Sequence, residues 1–132
     1  MTEISVWLRR GTTTVAAGRV ALGLTALAWP AVPARPWVGA SADDLAAKVF
    51  GRALGARDVA LGLGALAAPT GSARAWVAAG ALSDALDVLA SVASWRDLPR
   101  LTRWLVAASA GGAAIVGAAG ALTVETQARS RP

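Results

Sequence analysis

The stretch from Trp76 to Trp95 constrains the fold of this chain most. Its nineteen residue steps would form a helix of about 28 Å, close to the ~30 Å hydrocarbon thickness of a bilayer. A tryptophan stands at each end, where indole rings favour the membrane–water interface. Two carboxylates, Asp84 and Asp87, nevertheless fall near the midpoint. The stretch therefore predicts a membrane helix that carries charge at mid-depth.

Helical periodicity divides this stretch into two faces. At about 100° per residue, Asp84 and Asp87 share one face with Gly80, Ser91 and Ser94. The opposite face carries large apolar side chains: Leu82, Leu86 and Leu89. We expect the leucine face to contact lipid or a partner subunit and the polar face to turn inward.

Composition supports a membrane setting and excludes several kinds of chemistry. Hydrophobic residues make up 55% of the 132 residues and charged residues 16%, which is too little charge for the outer faces of a soluble helical bundle. The chain has no Cys and no His, which excludes disulfides, thiolate metal sites and Ser–His catalysis. We expect no metal or cofactor. The net charge of +5 comes from arginines near helix ends without interleaved aromatics, so nucleic acid is not an expected partner.

The apolar runs predict one integral membrane domain over residues 1–132, located in the cell membrane. The fold class expected is all-α, a four-transmembrane-helix bundle with short loops and spans at about 12–29, 51–68, 76–95 and 101–124. Residues 30–41 predict a loop, followed by a helix with Ser41 as its N-cap. Charges flank both sides, so orientation stays open. Six tryptophans lie near the ends of these spans: Trp7, Trp29, Trp37, Trp76, Trp95 and Trp104.

Small residues mark the faces on which we expect helices to pack closely. In the second span, glycines and Asp58 share one face, and a Gly-x-x-x-Gly pair allows two helix backbones to approach. A ladder of small residues at four-residue spacing marks the fourth span. The glycines assigned to helix packing are Gly51, Gly55, Gly62, Gly80 and Gly117.

An internal repeat with an offset of 39 residues is visible. Residues 20–30, VALGLTALAWP, match residues 59–69, VALGLGALAAP, at nine of eleven positions. Consecutive spans run in opposite directions, so the repeat would be an inverted pair of the kind found in small transporters. Coincidence in an Ala/Leu/Gly-rich background is the alternative.

Five ionisable residues form a predicted polar layer at mid-membrane. They are Arg19, Arg57, Asp58, Asp84 and Asp87. Each is costly in lipid, so these side chains should face inward and pair. Their formal charges sum to −1, so we expect one carboxylate to be left without a partner and to hold a proton or a cation. We expect Arg57 to pair with Asp84 or Asp87, and Arg19 to neutralise Asp58 or the remaining acid. The layer is interpreted either as buried salt bridges that fix helix register or as a polar binding site.

Two segments resemble a known family. Residues 55–64, GARDVALGLG, followed by residues 80–87, GALSDALD, resemble small four-helix integral membrane proteins common in actinobacteria, catalogued as a domain of unknown function. The family pattern is approximately G-x-R-[DE]-x-x-x-G, then G-D-x-x-D; here Ser83 replaces the glycine of the second motif. The resemblance implies the membrane fold and the importance of Arg57, Asp58, Asp84 and Asp87, and it brings no activity.

Three functions follow as hypotheses. The first is a non-enzymatic accessory or scaffold membrane protein held together by its polar layer. The second is a small proton- or cation-coupled carrier or channel that uses the intramembrane carboxylates. The third, a lipid-processing enzyme, has two acids but no nucleophile or metal cluster to support it. Expected partners are membrane lipid and either other membrane proteins or further copies of the chain.

Overall fold

A computed structural model describes residues 3–129, with side-chain surroundings given for 10–69, 72–100, 102–116 and 118. Within residues 3–129 the chain forms helices and no strand, which confirms the all-α prediction. The helices are α1 (Glu3–Ala28), α2 (Ala31–Val38), α3 (Leu45–Ala67), α4 (Thr70–Ala93) and α5 (Arg100–Arg129), with a 3-10 helix at Gly39–Asp43 between α2 and α3.

The proline-rich segment 30–41, predicted to be a loop, is largely helical. Pro30 occupies the N-cap position of α2, and Pro33 lies in its first turn, where no backbone N–H is needed for the helix. Pro36 lies further inside this short helix. Gly39 ends α2 with a φ of 64°, a left-handed conformation that favours glycine. The N-cap position of α3 is Asp44 instead of Ser41.

Helices α1 and α3 form the tightest pair in the structure, and they are antiparallel. A Cβ atom added to Gly55 would lie 2.7 Å from the carbonyl oxygen of Gly23, so these two backbones touch. As the residue number of the contact rises along α1, the residue number of its partner falls along α3. The contacts run from Ala16–Gly62 through Gly23–Gly55 to Pro30–Gly51.

This pair has an approximate two-fold symmetry that follows the sequence repeat. Gly23 and Gly62 are equivalent positions in the two copies, and each meets a carbonyl oxygen and a valine on the other helix. The matched contacts are Gly23 with Gly55 and Val59, and Gly62 with Ala16 and Val20. Each residue in the first set becomes its equivalent in the second when 39 is added or subtracted. The geometry therefore favours an inverted pair over compositional coincidence.

Helix α4 packs mainly against α5, and aromatic contacts fasten the turn between them. The rings of Trp95 and Trp104 meet edge to face at 4.3 Å between centroids. The Arg103 guanidinium lies 5.1 Å from the Trp95 ring centroid, and its Nη1 donates a 2.7 Å hydrogen bond to the Trp95 carbonyl oxygen. These contacts hold the α4 C-terminus against the α5 N-terminus.

Burial in this chain is the reverse of that in a soluble domain. Among residues whose side-chain surroundings are described, the buried side chains other than Pro30 and Leu98 are small or polar: Ala16, Ala26, Ala42, Ser83, Asp84 and Ser91. Large apolar side chains are instead exposed, among them Leu82 (62%), Leu105 (67%) and Ile115 (71%). Exposed apolar surface of this extent indicates a surface that is covered by lipid or another apolar partner.

By length and composition, one helical stretch within the described residues can cross a membrane, Ser72–Ala93. A second candidate is the pair Arg10–Ala28 and Ala31–Asp43, which bends by 100° at the break. Thr102–Val116 is apolar but shorter. Helix α3 is long enough, but Arg52, Arg57 and Asp58 lie within its apolar part. The prediction of four spans is therefore met in part: within the described residues one helix is a clear candidate for a span, and the four-span bundle stays a prediction.

Candidate functional site

Arg19 stands in the middle of α1 and connects it to two other helices. Its Nη1 donates a 3.0 Å hydrogen bond to Asp58 Oδ1 of α3. Its Nη2 forms an ion pair with Asp84 Oδ1 of α4 and donates a 2.9 Å hydrogen bond to the Gly80 carbonyl oxygen. The side chain is 10% exposed. One buried guanidinium thus joins α1, α3 and α4.

Arg57 makes the second set of connections, from α3 to α4. Its Nη1 and Nη2 donate to the two carboxylate oxygens of Asp87 at 3.1 and 2.9 Å, a bidentate arrangement. Its Nε and Nη2 also reach Asp58 Oδ1 at 3.3 and 3.2 Å. Of the two acids predicted to pair with Arg57, the structure places Asp87 against it.

The five predicted residues form one unbranched chain of alternating charge. Its order is Asp84, Arg19, Asp58, Arg57 and Asp87. Each arginine lies between two carboxylates, and Asp58 lies between two arginines. We call this set the ion-pair chain. Alternation places every charge next to its opposite, which offsets the cost of burying these groups away from water. The expectation that one carboxylate lacks a partner is wrong at the level of residues, because all three acids contact an arginine.

Within the ion-pair chain, the carboxylate oxygen that is fully buried without a hydrogen-bond partner among the described residues is Asp84 Oδ2. The neighbouring Ser83 Oγ, on the same helix turn, is also buried without a partner. Ser91, by contrast, is satisfied within α4, where its hydroxyl donates to the Asp87 carbonyl oxygen at 2.8 Å. The excess negative charge of the ion-pair chain therefore coincides with an open oxygen at one of its ends.

The predicted packing glycines divide into three groups. Gly55 and Gly62 touch the α1 backbone, and Gly51 packs against Pro30, as the sequence suggests for close helix contact. Gly80 packs against a side chain of another helix: its nearest neighbour is Arg19 of α1, with Nε 3.5 Å from a Cβ placed there. The carbonyl oxygen of Gly80 also accepts a hydrogen bond from Arg19. The surroundings of Gly117 lie outside those described.

A groove of about 560 Å³ opens onto the ion-pair chain from one end of the bundle. Its wall includes α2, which contributes Pro33, Pro36 and Trp37, and the α5 residues Val106 and Ser109. The wall is mainly apolar, while all five residues of the ion-pair chain line the groove. The sequence does not predict this groove, because residues 30–41 are predicted to form a loop and not the helix that makes its wall. The periodic spacing of Pro33, Pro36 and Trp37 is the signal that could have suggested a helical wall.

A second, smaller space approaches the ion-pair chain from the opposite end of the bundle. This cavity has a volume of about 30 Å³, enough for a water molecule, and reaches Thr12, Ala65 and Trp76. The groove and the cavity share four lining residues: Val15, Arg19, Asp84 and Ala113. The Arg19–Asp84 ion pair thus lines both spaces.

The site contains no metal-binding cluster of three or more His, Cys, Asp or Glu side chains within the part of the chain described. The described ion-pair chain presents carboxylates and guanidinium groups that bind each other. This chemistry suits exchange of a proton or recognition of a charged group more than bond cleavage.

The chain matches no family model, no curated protein and no solved structure. The class that the fold and site define is an all-helical protein with a candidate membrane span and an internal ion-pair chain.

Proposed function

We propose that α1, α3, α4 and α5 all cross the bilayer and that the protein is a multi-pass protein of the cell membrane. The reversed burial supports this placement, since exposed leucines would lie in lipid while small and polar residues fill the interior. Three of the charges that make α1 and α3 poor spans as isolated helices, Arg19, Arg57 and Asp58, are paired within the bundle, which offsets part of their cost in lipid.

Within that placement, the proposed function is that of a non-enzymatic accessory or scaffold membrane protein. The observation that carries it is the ion-pair chain, which connects three helices through two arginines that each bind two acids. Such a chain fixes the rotation and depth of α1, α3 and α4 relative to each other. A rigid bundle with a large exposed apolar surface suits contact with lipid and with other membrane proteins.

Introduced cysteines test the placement directly, because the natural chain has none. Single cysteines at Ala40, Ser72 and Arg96 are labelled in intact cells and in opened membranes with a membrane-impermeant thiol reagent. Four spans put positions 40 and 96 on one side and position 72 on the other. If α4 alone crosses, or α4 together with the bent N-terminal pair, position 40 falls on the same side as position 72. That grouping would reject the four-span proposal.

The second candidate function is a small proton- or cation-coupled carrier. The specific observation that favours it is that the groove and the cavity, from opposite ends of the bundle, are both lined by Arg19 and Asp84. One charged site that two spaces reach from opposite ends suits a carrier that works by alternating access. Purified protein in liposomes with an internal pH-sensitive dye distinguishes the two functions. Flux above that of protein-free liposomes, lost in Asp84→Asn, supports the carrier; absence of flux supports the scaffold.

A further inference from the structure

The ion-pair chain holds one more acid than base, and its geometry shows where that imbalance is located. Asp58 contacts two guanidinium groups, and Asp87 accepts hydrogen bonds through both carboxylate oxygens. Asp84 contacts one guanidinium, through Oδ1, and its Oδ2 has no partner among the described residues. The least compensated negative charge of the chain is therefore at Asp84.

Asp84 is also the acid that both spaces reach. The residue is 7% exposed, so bulk water does not solvate it, but it lines the groove and the cavity. The charged groups that act on it are Arg19 from α1, Asp58 from α3 and Asp87 from its own helix, and Arg57 lines the same groove. The α5 residues that line the groove within the described part are uncharged, so α5 supplies no cation that could compensate the acid.

We propose that Asp84 binds one exchangeable proton on Oδ2 and that this proton enters through the groove. Binding forms one O–H bond, with the proton taken from hydronium, and brings the formal charge of the ion-pair chain from −1 to 0. Oδ1 keeps its contact with Arg19 in both forms. The inference rests on the proposed membrane placement, which leaves the groove as the wider of the two routes to the acid.

Infrared spectroscopy of the full chain in lipid nanodiscs tests the protonation. A neutral aspartic acid gives a carboxylic C=O band that shifts in D₂O, and aspartate labelled with ¹³C assigns this band to Asp. We expect one such band at pH 7, lost in Asp84→Asn and retained in the control variant Asp43→Asn, whose side chain is exposed and lies outside the ion-pair chain. A band that persists in Asp84→Asn, or that disappears in Asp43→Asn, would overturn the proposal, as would no band in the labelled wild type.

A second measurement is independent of whether Asp84→Asn folds. Asp84→Glu keeps a carboxylic acid at this position, so it should shift the frequency of the band without abolishing it. The route is tested by the rate of the D₂O shift in two matched variants that each add one leucine. Ala110→Leu, in the groove wall, should slow the shift, and Ala81→Leu, in the cavity wall, should leave it unchanged. The reverse result would overturn entry through the groove.

The test of the Asp84 proton site and the test of the membrane placement can fail independently of each other. Cysteine labelling decides whether α3 and α4 both cross the membrane, and it does not depend on the protonation state of Asp84. An infrared band that behaves as expected in a protein with fewer spans would leave the proton site intact and reject the placement.

Discussion

Arg19 and Asp58 form a 3.0 Å ion pair and stand 39 positions apart in the chain, the same offset as the internal repeat. They are therefore equivalent positions of the two repeat copies, one carrying a cation and the other an anion. A contact between equivalent positions lies on the two-fold axis that relates the copies. The repeat thus accounts for the symmetric glycine contacts between α1 and α3. At the axis the two copies differ in charge, and the resulting Arg19–Asp58 ion pair holds the two helices together.

The symmetry ends at the prolines that close each copy. After Pro30 the chain turns into the short helix α2, whereas after Pro69 it continues into the long helix α4. The N-cap backbone angles differ accordingly, with ψ of −28° at Pro30 and 150° at Pro69. This difference leaves space beside α2, and the groove occupies it.

Removing Arg57 should destabilise the protein strongly. Arg57→Ala leaves Asp87 without its bidentate partner, and loss of one member of a buried pair costs about 3–5 kcal/mol. The side chain is 32% exposed, so we expect the lower end of that range. The double variant with Asp87→Asn should recover part of the loss, as measured by thermal unfolding in detergent.

The matched control for that measurement is Arg35→Ala. Arg35 pairs with Asp43 at 2.8 Å, but the two side chains are 61% and 56% exposed. Exposed pairs contribute about 0–1 kcal/mol, so the melting temperature should change little. A double variant no more stable than Arg57→Ala alone would contradict the importance of this pair.

The repeat symmetry predicts matched effects at Gly23 and Gly62. Alanine at position 23 would place its Cβ 2.5–2.9 Å from three atoms of the opposite helix, and alanine at position 62 would place it 2.7 Å from two atoms. The helices must separate to accommodate either side chain. Each variant should lose about 1–3 kcal/mol, the usual range for overpacking. Gly18→Ala is the control, because no atom lies within 4 Å and helix propensity gains up to about 1 kcal/mol. Unequal losses at the two glycines would argue against functional equivalence of the repeat copies.

The leucine face of α4 should be in contact with lipid. A spin label at Leu86, which is 53% exposed, should be relaxed efficiently by oxygen, which concentrates in the hydrocarbon of the bilayer. A label at Ser91, which is 1% exposed, should show much less relaxation because it lies in the interior. Relaxation at Leu86 by a water-soluble nickel complex instead of oxygen would place this face in water and reject the prediction.

The turn between α4 and α5 should depend on its aromatic pair. Trp104→Ala removes the edge-to-face contact with Trp95, a geometry that contributes about 0.5–1.5 kcal/mol beyond the area buried. Thermal unfolding of Trp104→Ala should show this loss. Trp29→Ala is the control, since that side chain is 68% exposed and has no ring contact among the described residues. Equal effects of the two variants would show that the ring pair does not stabilise the turn.

The sequence by itself determined the features that depend on neighbours within one helix. Periodicity separated Leu82, Leu86 and Leu89 from the face of Asp84 and Asp87, and spacing identified Gly55 and Gly62 as contact points. The apolar runs predicted helices, and the all-helical class is confirmed. These inferences succeed because the 3.6-residue period fixes which side chains share a face before any tertiary contact forms.

Tertiary structure decided what depends on the relative depth and rotation of separate helices. Arg57 could pair with either acid of α4, and the depth of α3 beside α4 selected Asp87. The helical form of residues 31–38 and the groove beside it depend on packing that local propensity does not encode, because prolines favour turns. The open oxygen of Asp84 arises in the same way, since Arg19 lies 65 positions away in the chain and reaches one carboxylate oxygen but not the other.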